Sequence, residues 1–410
     1  MKTKYLSVLI ALALPALAKD GPDYRLHEWG TFTSVSGSDG RLLEGVERDV
    51  EPLPPFVHSH ESSGGTFSVF SKGFAARPLQ GVTVKMETPV IYFYTKESFD
   101  AEVSVGFKGG SISQWYPSRS GGEKLPFRGV DPVTKKSVEG AMDFRNPFDG
   151  SIQWKVAVEP AVDDWPARVY HPRETPVWIY PRLPASALVR TPDGETEKYL
   201  FYRGVGRFET PVTATFTADR TVRLANTSDD RVPAMMVYEL TRDGMVRWKT
   251  LNALAKVDPT DIDLDAQAPV PADQARLQVH QAMAKMVTDA GLDRAEADAM
   301  ILTWQASYFG EPGLRLFWVA PRSFVDRVLP LKVNPPPTAT ERVILGRLEL
   351  LSPVWEHELL TRANEAEQAT PKRVHPFAYE RHWPAYAQRL QQLRSPAPKQ
   401  SKLPFEHVSR

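Results

Sequence analysis

The chain contains no cysteine. Disulfides, thiolate metal sites and cysteine nucleophiles are therefore excluded, as is lipid attachment through a cysteine after a leader. Net charge is also lacking. Fifty Lys and Arg balance fifty Asp and Glu, which leaves no electrostatic footprint of a nucleic-acid binder. No apolar run approaches the ~20 residues of a membrane span. The common catalytic signatures are missing too: there is no G-x-S-x-G elbow, Walker A, G-x-G-x-x-G or H-E-x-x-H, and His27-Glu28 and His357-Glu358 lack a second His four residues on.

What is present begins at the N-terminus. Lys2 and Lys4 form a basic stretch, Leu6 to Leu14 is apolar but too short to span a bilayer, and Ala16-Leu17-Ala18 is a small-x-small site. This pattern predicts a signal peptide over 1–18, cleaved before Lys19, and a periplasmic or secreted protein with no integral membrane span. The remaining chain, about 390 residues long, exceeds a single core and predicts two or three domains. An apolar fraction of 42% and 36 prolines suit packed, turn-rich β structure.

Residues 19–257 read as β. Val82 to Met86, Glu102 to Phe107, Ile152 to Val156 and Thr213 to Thr217 alternate with period two, and Val90 to Tyr94 is a dense run of strand formers. The expected fold class is a mainly β, sandwich-like N-terminal two-thirds, divided into units at 19–160 and 161–257, followed by a C-terminal α+β domain. Glu-Thr-Pro-Val occurs at 87–90, 174–177 and 209–212, read as a strand-opening device because Pro is tolerated at a first strand residue. Asp261, Asp263 and Asp265, flanked by Pro259, Pro269 and Pro271, predict an acidic linker over 258–272. An EF-hand is excluded, because Ala266 and Ala272 stand where Gly and Glu are required.

Beyond 272 the period becomes helical. Ala275, Val279, Ala282, Met283, Met286, Val287 and Ala290 form one apolar stripe closed by Gly291, and Asp293 with Glu296 forms a capping box for a second helix ending near Gly310. Leu314 to Ala320 and Val343 to Leu351 predict strands, and Ser352-Pro353 starts a third helix. This defines an α+β domain over 273–370. The segment 371–410 reads as a basic, irregular tail.

Candidate chemistry concentrates in residues 24–60. On an extended strand His27 and Trp29 face one side and Glu28 the other, while His58 and His60 share a side. Two imidazoles at that spacing can chelate a divalent metal such as zinc, with His27 as a third ligand. Three protein ligands and an open position suit hydrolytic chemistry. H-x-H is equally the pattern of ordinary hydrogen-bonded histidines. A metal-free alternative takes Glu28, Glu87, Tyr94 and Arg203 as acid/base and electrostatic groups acting on a glycan, with Trp115, Tyr116, Trp154, Trp165, Trp178 and Tyr180 as stacking platforms. Aromatic residues on strands are also ordinary core.

His27 to Thr33, Met86 to Val90, Phe201-Tyr202-Arg203-Gly204 and Gly313-Leu314-Arg315 together resemble a family of exported bacterial proteins with a His-Glu-Trp-Gly-Thr-Phe-Thr motif. The resemblance implies one family from end to end and carries no residue roles. Two functions stay open at this point: a metal-assisted hydrolase or glycan-active enzyme, and a non-catalytic protein binding glycan or another cell-envelope component.

Overall fold

The structure, a computed structural model, describes residues 21–48, 53–60, 79–123, 142–167, 176–256, 259–369 and 381–395, together with the short strands 129–130 and 137–138. The predicted signal peptide lies outside the described residues, as do Glu174 and most of the basic tail.

The protein is mainly β, with its long helices in the C-terminal part. The strands that matter here are β1 (Tyr24–Ser36), β2 (His58–Ser59), β3 (Val84–Thr95), β4 (Phe99–Lys108), β5 (Gly110–Tyr116), β6 (Asp149–Glu159), β7 (Leu188–Arg190), β8 (Thr196–Glu197), β9 (Leu200–Gly206), β10 (Val212–Ala218), β11 (Thr221–Asn226), β12 (Met235–Leu240), β13 (Met245–Leu251), β14 (Thr260–Asp263), β15 (Val270–Pro271), β16 (Gly313–Val319), β17 (Leu331–Asn334) and β18 (Ala339–Leu350). The helices are α1 (Pro176–Ile179), α2 (Ala272–Asp289), α3 (Arg294–Phe309), α4 (Arg322–Val328), α5 (Pro353–Ala369) and α6 (Trp383–Arg394).

Ten strands form one sheet in the order β2-β5-β9-β3-β1-β18-β16-β12-β13-β15. A second sheet contains β8-β7-β6-β4-β17, and a third β10-β11-β14. Alternation gives the large sheet two apolar faces. Leu26, Phe32, Ile91, Ile344 and Leu316 pack with Val103, Trp154 and Leu224 of the smaller sheets, which makes the sandwich core. On the opposite face Trp29, Val90, Phe201 and Phe317 pack under α2 and α3. Farther along that face Val35 and Val205 pack under α5 and α6. Burial of these side chains is the main stabilising term.

The expected division at 160, 257 and 272 is not seen. β1 pairs in parallel with β18 over twelve residues, and β17 pairs with β4, so strands from both ends of the chain share each sheet. The expected acidic linker is instead structured. β14 pairs with β11, Asp261 bridges Arg223, and Asp265 bridges Arg220, so the alternating aspartates are ion-pair partners of the neighbouring strand. Part of the expected irregular tail is α6, whose Leu390 and Tyr386 complete an apolar cluster with Leu359.

The three Glu-Thr-Pro-Val copies differ. Val212 opens β10 as expected, Pro176 opens a helical turn, and Glu87 to Val90 lies inside β3. There β3 bulges. Trp29 pairs with Val90 and Thr31 with Glu87, leaving one extra residue on β3 and Thr88 at φ 50°. Gly30 opposite is required, since a Cβ would lie 2.9 Å from the Pro89 Cα.

Candidate functional site

The sheet brings the motif strings together. His27 to Thr33, Met86 to Val90, Phe201 to Gly204 and Gly313 to Arg315 lie on β1, β3, β9 and β16, within one run of five neighbouring strands. On the helical face of this run two polar groups interrupt the apolar packing.

The first is at the start of α3. His27 is buried, and its Nδ1 donates to Glu296 Oε2 at 2.9 Å. That tautomer leaves Nε2, which is buried and has no hydrogen-bond partner among the described residues, as a bare lone pair. Glu296 also accepts from the Tyr94 hydroxyl at 2.7 Å and from the Asp293 backbone N–H at 2.9 Å. The last contact belongs to the predicted capping box, which is present. Ligand atoms of His27, Asp293 and Glu296 all lie within 4.8 Å of one another, so this group can hold a metal ion. Burial and the Glu296 charge push the Tyr94 phenol far above its ordinary value. Tyr94 is therefore a proton donor to the carboxylate, not a base. Beside the group a cleft of about 690 Å³ is lined by Arg25, Tyr94 and Ala187.

The second group lies farther along the same face, between the two helical clusters. Lys85 Nζ meets Glu87 Oε1 at 2.5 Å, both buried. Glu349 Oε1 accepts from Arg315 Nε at 2.8 Å and from Arg347 Nε at 2.7 Å, and Arg347 also donates to the Ser307 carbonyl at 2.9 Å. Burial raises the Glu349 carboxyl, but Arg315 and Arg347 outweigh it and hold the group below its ordinary value. Arg203 bonds Gln114. His382, the residue before α6, is 3% exposed. Burial and the charges of Lys85, Arg347, Arg381 and Arg315 push its imidazole well below the ordinary value. Of this layer the sequence reading put forward only Glu87 and Arg203 as acid/base or electrostatic groups, and quoted Arg315 only within a motif string. The others had a signal: Lys85, Arg315, Arg347 and Glu349 each stand at a core-facing position of an alternating strand. His382 had none.

The structure does not assemble the predicted histidine triad. His27 is on β1 and His58 on β2, four strand positions apart, which is about 19 Å at the usual interstrand spacing. His58 Nε2 bonds Glu195 at 2.8 Å, and His60 donates to the Ile112 carbonyl at 2.7 Å. Their rings flank Trp115, so sharing a side of the strand places them around an indole.

The predicted acid/base set is likewise divided. Glu28 is on the sandwich face, held by the Tyr202 hydroxyl and by Arg342 Nε at 2.5 Å. Glu87 is on the helical face, so the sheet itself separates the two carboxylates. Tyr94 is seven residues along β3 from Glu87, and Arg203 is on β9, next to β3. Trp115, Tyr116, Trp154 and Trp178 are buried core; the partly exposed Trp165 lies near Arg182.

Among the described residues no helix is long and apolar enough to cross a membrane. The sequence matches no protein-family model and no curated protein. Among solved structures, the yeast delta-COP-I mu-homology domain is similar at 7% identity over 80% of this chain and 95% of that one, with a TM-score of 0.25, a likeness that carries no argument about function.

Proposed function

We propose that this is an exported, metal-dependent hydrolase whose ion is held by His27, Asp293 and Glu296, with zinc or manganese as the fitting metals for one imidazole and two carboxylates. The observation that carries the reading is the convergence of these three ligand groups beside an open cleft. Two ligands sharing a tetrahedral ion at about 2.1 Å stand roughly 3.4 Å apart. His27 Nδ1 and Glu296 Oε2, at 2.9 Å, need little adjustment once the ring proton sits on Nε2, and the half-exposed Asp293 carboxylate would leave its capping bond to close. A divalent ion there supplies Lewis acidity. Tyr94 holds Glu296 in place, and Arg25, 3.9 Å from Asp293, presents a cation at the cleft. An anionic or carbonyl-bearing envelope substrate, glycan esters included, suits that lining.

The test is metal content of the mature protein purified without chelator. One equivalent of zinc or manganese, lost in His27→Ala and Asp293→Ala and kept in His58→Ala/His60→Ala, supports the reading. Absence of stoichiometric metal, with no shift of the thermal midpoint on adding either ion, overturns it. A second reading, a non-catalytic envelope-binding protein, is favoured by one observation: Glu296 is already satisfied by three hydrogen bonds. Under it His27→Ala alters stability and no metal property.

A further inference from the structure

The helical face of the large sheet holds a further opening. The first half of α2 and the last half of α3 enclose a cavity of about 570 Å³ there. Tyr238 of β12, Val177 of α1 and Tyr180 in the turn after α1 complete its wall. Small-molecule sites commonly span roughly 300–1,000 Å³. The cavity lies toward the C-terminal end of α3, whereas the His27 group meets the first turn of that helix.

Much of the lining is apolar. Val177, Ala275 and Val279 are buried, and Phe309 packs against the same cluster. The hydroxyls among the lining residues are largely satisfied within the protein. Tyr238 donates to the Phe309 carbonyl at 2.8 Å, Thr303 to the Ala299 carbonyl at 2.7 Å and Ser307 to the Trp304 carbonyl at 3.3 Å. Two ionisable groups are engaged as well. His280 Nε2 pairs with Asp298 at 2.9 Å, and Asp273 accepts from the Gln274 N–H at 2.9 Å in the first turn of α2, where the helix dipole favours an acid. Three lining groups are left. The Tyr180 hydroxyl, the Arg276 guanidinium and the Gln305 amide form no hydrogen bond or ion pair among the described residues. All three can donate, and Arg276 brings a positive charge. They come from three separate elements, so no single helix face accounts for them.

We propose that this cavity binds a single-chain amphiphile with a carboxylate head, of which a medium-length fatty acid is the simplest. The chain lies against the apolar lining, whose own polar atoms ask nothing of it. The head takes the unpartnered donors, Arg276 first. A guanidinium holds a carboxylate through two parallel charge-assisted N–H···O bonds, which neither an alcohol nor an ammonium head offers. The site is distinct from the His27 group, and nothing in it depends on a metal.

The experiment is calorimetric titration of the mature protein with decanoate, decanol and decylammonium, each below the concentration at which it aggregates. Two variants accompany it. Arg276→Gln removes the cation, and Ala306→Trp fills the cavity from α3. Both positions are exposed, so the ligand-free thermal midpoint is expected to stay close to that of the wild type. Saturable one-to-one decanoate binding, weakened at least about tenfold in each variant and at least about tenfold tighter than that of the other two heads, supports the site. Absence of saturable decanoate binding, decanol or decylammonium binding as tightly, or binding undiminished in either variant overturns the proposal. Should Ala306→Trp fail to fold, the three heads on the unaltered protein and Arg276→Gln decide it.

Discussion

Glu28 sits where a catalytic carboxylate was expected from its motif, and its surroundings make it a structural ion. It is fully buried, Arg342 Nε lies 2.5 Å from its Oε2, and the Tyr202 hydroxyl donates to Oε1. Glu28 and Arg342 are register partners across the parallel β1–β18 pair. Replacing Glu28 with Ala leaves a guanidinium in the sandwich core. Removing one member of a buried pair costs about 3–5 kcal/mol. Arg342 keeps Asp326 at 2.7 Å, and that carboxylate is half-exposed, so the lower figure applies. A loss of about 3 kcal/mol is roughly a 150-fold fall in the folding constant. An unfolding entropy of about 2.1 cal/mol/K per residue makes it a shift of about 4 °C in the thermal midpoint. Glu28→Leu combined with Arg342→Leu should recover most of that loss, because an apolar pair replaces a desolvated one. The assay is thermal melting followed by circular dichroism on the two single variants and the double. A Glu28→Ala protein melting within 1 °C of wild type (about 0.8 kcal/mol), or a double variant as unstable as the sum of the singles, would refute the reasoning.

Other outcomes follow from the same geometry. A Cβ on Gly346 would lie 1.7 Å from Trp318 Cε2, so Gly346→Ala should cost at least about 3 kcal/mol by overpacking; combining it with Trp318→Leu should restore part of that loss in a melting experiment. Glu349 has its folded pKa depressed below 4.5. Its stabilisation is thus full above about pH 4.5 and is lost as pH falls through the folded value. Glu349→Gln should be less stable at neutral pH and show a shallower acid limb in urea titrations. Tyr94→Phe removes a donor to the buried Glu296 and should cost about 1–2 kcal/mol, while any bound metal measured by elemental analysis stays in place, since the phenol is not a ligand.

The elements were largely legible and their assembly was not. α2 and α3 follow from the apolar stripe and from Asp293 with Glu296, whose capping box forms as the spacing requires. β16, β18 and α5 also fall where alternation and Ser352-Pro353 place them. These signals are local, carried by residues within a few positions of one another. The pairing of β1 with β18 joins residues more than 300 positions apart, and no periodicity encodes which strand a strand will meet. Three domains were therefore inferred where the sheets run through all of them. The same limit governs the candidate site. His27 was singled out, yet its partners in space are the capping residues of α3, which a local reading had already assigned a complete structural role.

Charge at core-facing positions is the signal that survives this limit. In β18 the alternation Ile344, Gly346, Leu348, Leu350 faces the sandwich, and the intervening Val343 and Leu345 are followed by Arg347 and Glu349. A strand buried on both faces has no solvent to receive those charges, so charged partners had to come from elsewhere in the chain. Lys85 in β3 and Arg315 in β16 carry the same implication. Four such residues on three strands of one sheet required a common polar layer on one face before any pairing was known. What the strands alone could not supply is His382, contributed by a segment whose composition reads as solvated tail. It is buried with no hydrogen-bond partner for either ring nitrogen among the described residues, a position that no strand periodicity encodes.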